Sequence, residues 1–190
     1  MRLYCLMGKS GVGKDTILKR ILLERNDLTP IITYTTRPMR TGEKNGKEYY
    51  FVTLDVFEKQ KNNKSIIEYR KFNTIHGDWF YFMSNDNQID ARSDKKYIVI
   101  NSIFGVKKLR ELYGSNVIPI HIYVDDRDRL LRCFARETST NEDYVEMCRR
   151  FVTDTHDYSR EMFAKFGIPE NRIANESLYQ CIEEVNKFIK

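Results

Sequence analysis

Apolar positions along the chain keep two rhythms. Leu3 to Met7 is an unbroken apolar run that stops at Gly8, as expected of a strand buried on both faces. From Lys14 to about Arg25, Ile17, Leu18, Ile21 and Leu22 recur at helical spacing. Strand, glycine-rich turn and helix in that order open an α/β fold. Tyr97 to Ile100 and Val117 to Val124 are further β-rich runs, and Val106, Leu109 and Leu112 between them predict a helix ending at Gly114. Arg172 to Ala174 has room for a short last strand. The tail reads as a helix with Leu178, Cys181, Ile182, Val185 and Ile189 on one face. Strands alternating with helices predict a parallel sheet covered on both sides.

From Thr33 to Met83 the rhythm changes. This stretch is rich in Thr, Tyr, Phe, Gly and charge, with strand-like pieces at Tyr49 to Val52, Ile66 to Tyr69 and Trp79 to Met83. Structureless loops of that length are rare in a domain, so a small β-rich subdomain is expected.

Composition narrows the class. The chain has 190 residues, 41% hydrophobic and 31% charged, enough for one core with small inserted subdomains. No apolar run is long enough for a membrane span, and the short apolar start at Leu3 lacks the form of a secretory signal, so a cytoplasmic protein is expected. Cys5, Cys133, Cys148 and Cys181 are scattered, without a Cys-x-x-Cys pair or histidines at ligand spacing. That argues against zinc and against a disulfide framework. The net charge of +5 comes without any cluster of five basic residues, which favours phosphate handling over nucleic-acid binding.

Gly8-Lys9-Ser10-Gly11-Val12-Gly13-Lys14 lies where a phosphate loop must lie, between strand and helix. Its glycines let the backbone curl so that N–H groups point inward at an anion. The helix N-terminus adds its positive end, and Lys14 a point charge for the β- and γ-phosphates of ATP. Where Ser or Thr usually binds magnesium, the chain has Asp15 followed by Thr16. Asp15 either holds the hard cation or favours the first helical turn electrostatically.

A second block runs from Tyr34-Thr35-Thr36-Arg37-Pro38-Met39-Arg40 through Gly42-Glu43 to Asn45-Gly46-Lys47-Glu48-Tyr49-Tyr50. Guanidinium groups grip phosphate oxygens in pairs, and a tyrosine hydroxyl adds a neutral donor. Arg37, Arg40 and Tyr49 are thus candidates to hold an acceptor monophosphate; a solvated basic turn is the alternative.

With these two blocks, Ile67-Glu68, His76-Gly77-Asp78-Trp79-Phe80, a basic segment from Arg132 and Asn175-Glu176, the sequence resembles the guanylate kinase family over nearly its whole length. The resemblance implies a single domain over residues 1–190, a P-loop NTPase three-layer α/β/α fold on a parallel core sheet. Its core would be residues 1–32, 84–131 and 151–190, with a small mixed β-rich acceptor-binding subdomain at 33–83 and a helical lid at 132–150. It implies ATP as donor, Mg²⁺ as cofactor and GMP as acceptor. Gly8, Ser10, Gly11, Val12, Gly13, Lys14, Asp15 and Thr16 would cradle ATP, and Asn175 would lie by the adenine. Arg37, Arg40 and Tyr49 would hold the GMP phosphate, and Thr33 and Glu68 would contact guanine. Glu68 has suitable chemistry, since a carboxylate can accept from both N1–H and the 2-amino group. Arg132 and Arg136, four apart on a predicted helix, and Arg149 or Arg150 would be the lid arginines.

The chain departs from the family at two places. Phe80-Tyr81-Phe82 stands where the family has Tyr-Gly-Ser or Tyr-Gly-Thr, leaving Tyr81 as the substitute hydroxyl. Ile100-Asn101-Ser102 replaces an Asp-x-Asp, leaving Ser102 to meet the base. Lys14-Asp15 and Asn101-Ser102 also resemble ribose-bisphosphate phosphokinases, which lack the arginine block, and a third reading is a guanylate-kinase-like scaffold without catalysis. Ionised acceptor phosphate needs no general base, so His76, His121 and His156 need no catalytic role. The expected partners are small nucleotides, with neither nucleic acid nor membrane, and the chain is expected as a monomer or homodimer.

Overall fold

β1 (Arg2–Met7) is the central strand of the computed structural model, which describes residues 1–40, 42–136 and 141–190, with the side chains of residue 136 and residues 141–143 outside that description. Leu3 to Met7 are all fully buried, as an unbroken apolar run demands of a strand covered on both faces. β1 pairs in parallel with β7 (Lys96–Ile100) and β8 (Val117–Tyr123). β2 (Leu28–Pro30) adds beyond β7, and β9 (Arg172–Ala174) beyond β8. The order β2-β7-β1-β8-β9 is a five-stranded parallel sheet.

Alternating side chains of β1 enter two cores. Leu3, Cys5 and Met7 meet Val106 and Leu109 of α3 (Ile103–Tyr113) and Met162 and Phe163 of α6 (Arg160–Phe166). Tyr4 and Leu6 meet Ile17 and Ile21 of α1 (Lys14–Glu24) and Cys181, Ile182 and Val185 of α7 (Leu178–Phe188). These are the three layers of the expected core. The helix ends follow local chemistry: Ser102, Ser159 and Ser177 cap α3, α6 and α7, and Gly114 and Gly167 end α3 and α6 at positive φ.

A second, mixed sheet has the order β4-β3-β6-β5. β3 (Tyr34–Thr35) runs parallel to β4 (Tyr50–Phe51) and antiparallel to β6 (Gly77–Ser84), which pairs with β5 (Ile66–Thr74). Its own core is aromatic: Phe57 stacks on Phe80 at 4.1 Å and meets Phe82 at 5.2 Å.

The stretch expected to be β-rich also contains a helix, α2 (Leu54–Asn62), which supplies Phe57. Only Phe57 of its residues is buried, and Leu54 and Val56 are exposed, so no apolar stripe announced it. Leu112, expected on the buried face of α3, is instead exposed; Ile103 completes that face. Two long helices, α4 (Asp126–Arg136) and α5 (Asn141–Asp157), carry the basic segment and extend beyond both ends of the expected 132–150 range.

Candidate active site

The glycine loop joins β1 to α1, and its shape depends on glycine. Gly13, the residue before α1, has φ 92°, and a Cβ there would lie 2.6 Å from Asn175 Nδ2. A Cβ on Gly8, at φ 149°, would lie 2.4 Å from the Ile122 carbonyl oxygen. Lys14 bends back over the loop, its ammonium donating to the carbonyls of Gly8 at 2.7 Å and Lys9 at 2.9 Å.

Groups far away in sequence hold the loop from outside. The Ser10 amide donates to Asp154 Oδ2 at 2.6 Å, so a carboxylate from α5 already satisfies one loop amide. Arg129 is fully buried, with its guanidinium 3.7 Å from the centre of the Phe151 ring, Nε donating to Asp126 Oδ1 at 3.0 Å and Nη1 to the Ser10 carbonyl at 3.4 Å. Lys9 pairs with the same Asp126 at 3.0 Å. Asn175 Nδ2 donates to the Val12 carbonyl at 2.8 Å, and Arg132 donates to the Asn175 carbonyl at 2.9 Å.

A cleft of about 970 Å³ opens between this loop and the mixed sheet, within the size range of small-molecule sites. Gly8, Ser10, Gly11, Gly13, Lys14, Asp15 and Thr16 form its loop wall; Thr33, Arg37, Arg40, Tyr49, Glu68 and Tyr81 form the facing wall. Ser102 lies between them, and Arg132, Arg149 and Arg150 line it from the helical side. Val12 is buried beneath the loop, and Asn175 is buried with its amide committed to Val12. Arg136 lies in α4, and its side chain is outside the described residues.

Arg37 is 3% exposed and forms a two-pronged pair with Glu43, Nη2 to Oε1 at 2.8 Å and Nη1 to Oε2 at 3.0 Å. Its Nη1 also donates to the Pro38 carbonyl at 2.6 Å, and the guanidinium lies 5.7 Å from the Tyr49 ring and 5.4 Å from the Phe51 ring. Arg37 Nε has no hydrogen-bond partner among the described residues. Burial lowers the pKa of Arg37, but the Glu43 carboxylate outweighs it and leaves the value raised. For Glu43, burial raises the pKa and the Arg37 guanidinium and Arg40 N–H overcome that, leaving it lowered. Arg40 donates its backbone N–H to Glu43 at 2.7 Å, and one carboxylate thereby fixes both arginines' chain segment. Burial foremost, then Tyr81 and the Asp15 carboxylate, push Tyr49 far above the ordinary phenol range, so it stays a donor.

Glu68 projects from β5 into the cleft, not into solvent. Burial pushes its carboxyl up to about 7, against the opposing pull of the Asn101 side chain and of Arg70. Asn101 Oδ1 accepts the Ser102 N–H at 2.7 Å, and its Nδ2 has no partner of hydrogen-bond length among the described residues. Ser102, expected to meet a base, lines the cleft and accepts the Gly105 N–H at 3.1 Å as the cap of α3, which leaves its hydroxyl proton and one lone pair for a ligand.

Arg149 and Arg150 both reach the cleft, and Glu146 holds both. Arg149 pairs two-pronged at 2.7 and 2.8 Å, and Arg150 Nε lies 3.7 Å from the same carboxylate. The three histidines stay off the wall. His76 stacks on Trp79, His156 is exposed, and buried His121 is lowered to about 4 by burial and by Arg172.

Sequence reasoning missed Glu43, Asp154, Arg129 and Glu146 as holders of functional groups. Glu43 had a signal, an acid directly after the arginine pair; Asp154 had none, since 144 residues separate it from Ser10. Among the described residues no three carboxylate, histidine or cysteine groups cluster as a metal site. Asp15 and Thr16 on the cleft wall supply one carboxylate and one hydroxyl, which fits a cation that takes its other ligands from water and phosphate.

A family model described as guanylate kinase matches residues 1–190. The chain is 33% identical over 140 residues to guanylate kinase 2, chloroplastic/mitochondrial, of Oryza sativa subsp. japonica, covering 72% of this chain and 47% of the rice protein. It is 29% identical over 187 residues to guanylate kinase of Homo sapiens, covering 96% of this chain and 89% of the human one. The fold is similar to the crystal structure of guanylate kinase from Anaplasma phagocytophilum, with a TM-score of 0.68 at 19% identity over 99% of this chain and 84% of that one. The chain therefore spans less than half of the rice relative but most of the human relative.

Proposed function

The chain belongs to the guanylate kinase family, and on that premise we propose that it moves the γ-phosphoryl group of ATP onto GMP, giving ADP and GDP. The observation that carries this reading is the single cleft walled on one side by a phosphate loop and on the other by Arg37, Arg40, Tyr49 and Glu68.

Phosphoryl transfer asks a protein for positioning and charge neutralisation more than for covalent chemistry. The loop amides and Lys14 hold the β- and γ-phosphates of ATP; Lys14 leaves the Gly8 and Lys9 carbonyls to do so, and Asp154 gives up the Ser10 amide. Arg40, Tyr49 and Arg37, whose Nε is not engaged by Glu43, hold the GMP phosphate as an in-line nucleophile. Glu43 keeps Arg37 aimed, because a guanidinium already gripped on one edge by a carboxylate has few other orientations. Glu68 accepts from N1–H and the 2-amino group of guanine, a pair adenine does not offer. Thr33, Tyr81 and the Ser102 hydroxyl add neutral contacts around the base and phosphate.

Arg132, Arg136 and one or both of Arg149 and Arg150 neutralise charge developing on the phosphoryl group. Asp15 and Thr16 would hold magnesium, which would supply further charge neutralisation. Asn175 acts by bracing the loop through Val12 beside the adenine side of the site. Residues 33–83 act as the acceptor-binding subdomain and the segment around 132–150 as the lid on a core made of the remainder, and their closure excludes water.

Four unpaired cysteines support action in a reducing compartment such as the cytoplasm. The substrates are small nucleotides, and the protein is taken to work as a monomer or homodimer. No helix among the described residues is long and apolar enough to cross a membrane.

The test is ADP release with GMP, dGMP, AMP, UMP and ribose bisphosphate as acceptors. Turnover with GMP and dGMP well above the others is expected. Turnover with ribose bisphosphate and not GMP, or with no acceptor at all, overturns the assignment.

A further inference from the structure

A second groove, of about 650 Å³, lies behind the acceptor wall, between α2 and β5 on one side and α3 and α6 on the other. Five lysines line it: Lys61 and Lys64 from the end of α2 and its turn, Lys107 and Lys108 from α3, and Lys165 from α6. Their charges are poorly matched. Glu111 alone pairs with Lys107 at 2.6 Å and Lys108 at 3.2 Å. Lys61, Lys64 and Lys165 make no ion pair among the described residues. Like charges gathered from three elements repel one another.

The groove also has aromatic faces. Phe104 and Phe166 meet edge to face at 5.2 Å, and Tyr69 is 45% exposed. Two of the lysines lie against these rings, Lys61 at 5.6 Å from Tyr69 and Lys107 at 5.6 Å from Phe166. A concave space of small-molecule size, lined by aromatic rings, Ile66 and Ile67 and by five ammoniums against the one carboxylate of Glu68, suits a ligand with a planar ring and several phosphates.

We propose that this groove is a second binding site, separate from the catalytic cleft, for a nucleoside polyphosphate. The base lies against Tyr69, Phe104 and Phe166, and the phosphates lie among Lys64, Lys108 and Lys165. The ligand bridges the mixed sheet and the helices of the parallel core. Glu68 lines both the groove and the cleft, so the two sites share one wall. The site is built without reference to which acceptor the cleft takes.

The experiment is an amide-shift titration of the full chain by NMR, with ATP, inorganic tripolyphosphate and adenosine as probes. ATP is expected to move two groups of signals with separate saturation curves, one centred on Gly11 and one on Lys64, Lys108 and Lys165. The double variant Lys64→Glu/Lys165→Glu weakens the second curve by at least about tenfold and leaves the first and the turnover unchanged, since both lysines are exposed and outside the catalytic machinery. Wild-type shifts confined to the cleft overturn the proposal whatever the variant does. Tripolyphosphate binding the groove as tightly as ATP overturns the nucleoside part, and a second curve unmoved by the double variant overturns the lysine assignment.

Discussion

Replacing Glu68 by glutamine keeps the shape of the cleft wall and removes one charge. The folded protein holds the Glu68 carboxyl at about 7, against an ordinary 4.5, chiefly because burial disfavours the ion. A gap of that size corresponds to about 3 kcal/mol. Its sign follows from proton binding. Below the ordinary value the carboxyl is neutral in both states and nothing is lost. Between the two values the unfolded chain ionises first and is favoured, and above about 7 the whole cost is present. Glutamine never ionises, so Glu68→Gln gains stability relative to the native chain by about 2 to 3 kcal/mol between pH 4.5 and pH 8. Urea unfolding of both proteins across that range reads the difference directly. The same substitution removes the paired acceptor for guanine and raises KM for GMP by about thirtyfold, equivalent to about 2 kcal/mol. A stability difference that stays constant from pH 4.5 to 8 refutes the buried-carboxylate reasoning, even if GMP binding is lost.

Three further substitutions probe other parts of the site. Arg40→Ala raises KM for GMP by about ten- to a hundredfold through one lost charge-assisted contact, while ATP affinity, measured by equilibrium binding, is unchanged. Glu43→Gln leaves the 3%-exposed Arg37 with half its ion pair gone and lowers unfolding stability by about 3 kcal/mol, so a loss under about 1 kcal/mol counts against the pair as the holder of that arginine. Gly8→Ala drives a methyl group to 2.4 Å from the Ile122 carbonyl and displaces the loop, abolishing ATP binding with a drop in melting temperature; unchanged ATP affinity shows that the loop does not need this approach.

The elements read directly from the sequence were those whose local pattern and tertiary role coincide. β1, β7 and β8 sit inside the sheet, buried on both faces, and therefore appear as plain apolar runs. α1 and α7 each turn one stripe to the core, and β9 was found at its full extent. α2 was illegible because a single residue, Phe57, anchors it, and the two-residue strand β3 is too short to carry a period, whereas β4 lies within the strand-like piece read at Tyr49 to Val52. The phosphate loop and the Arg37–Arg40 pair were legible because their chemistry is local. The groups that aim them were not: Asp154 and Arg129 reach the loop only through the folded chain, and Asn175, named for the adenine side, also braces the loop through Val12. Ser102, singled out for a ligand, lines the cleft and has a second duty that the sequence pattern did not announce, capping α3.

One binding measurement bears on the whole account, because two anion cradles facing each other must accept a single molecule spanning both. Adenosine joined to guanosine through five phosphates is expected to bind one per catalytic cleft and to compete with both ATP and GMP in initial-rate assays. Competition with only one of the two, the other nucleotide still binding beside it, would contradict a shared cleft.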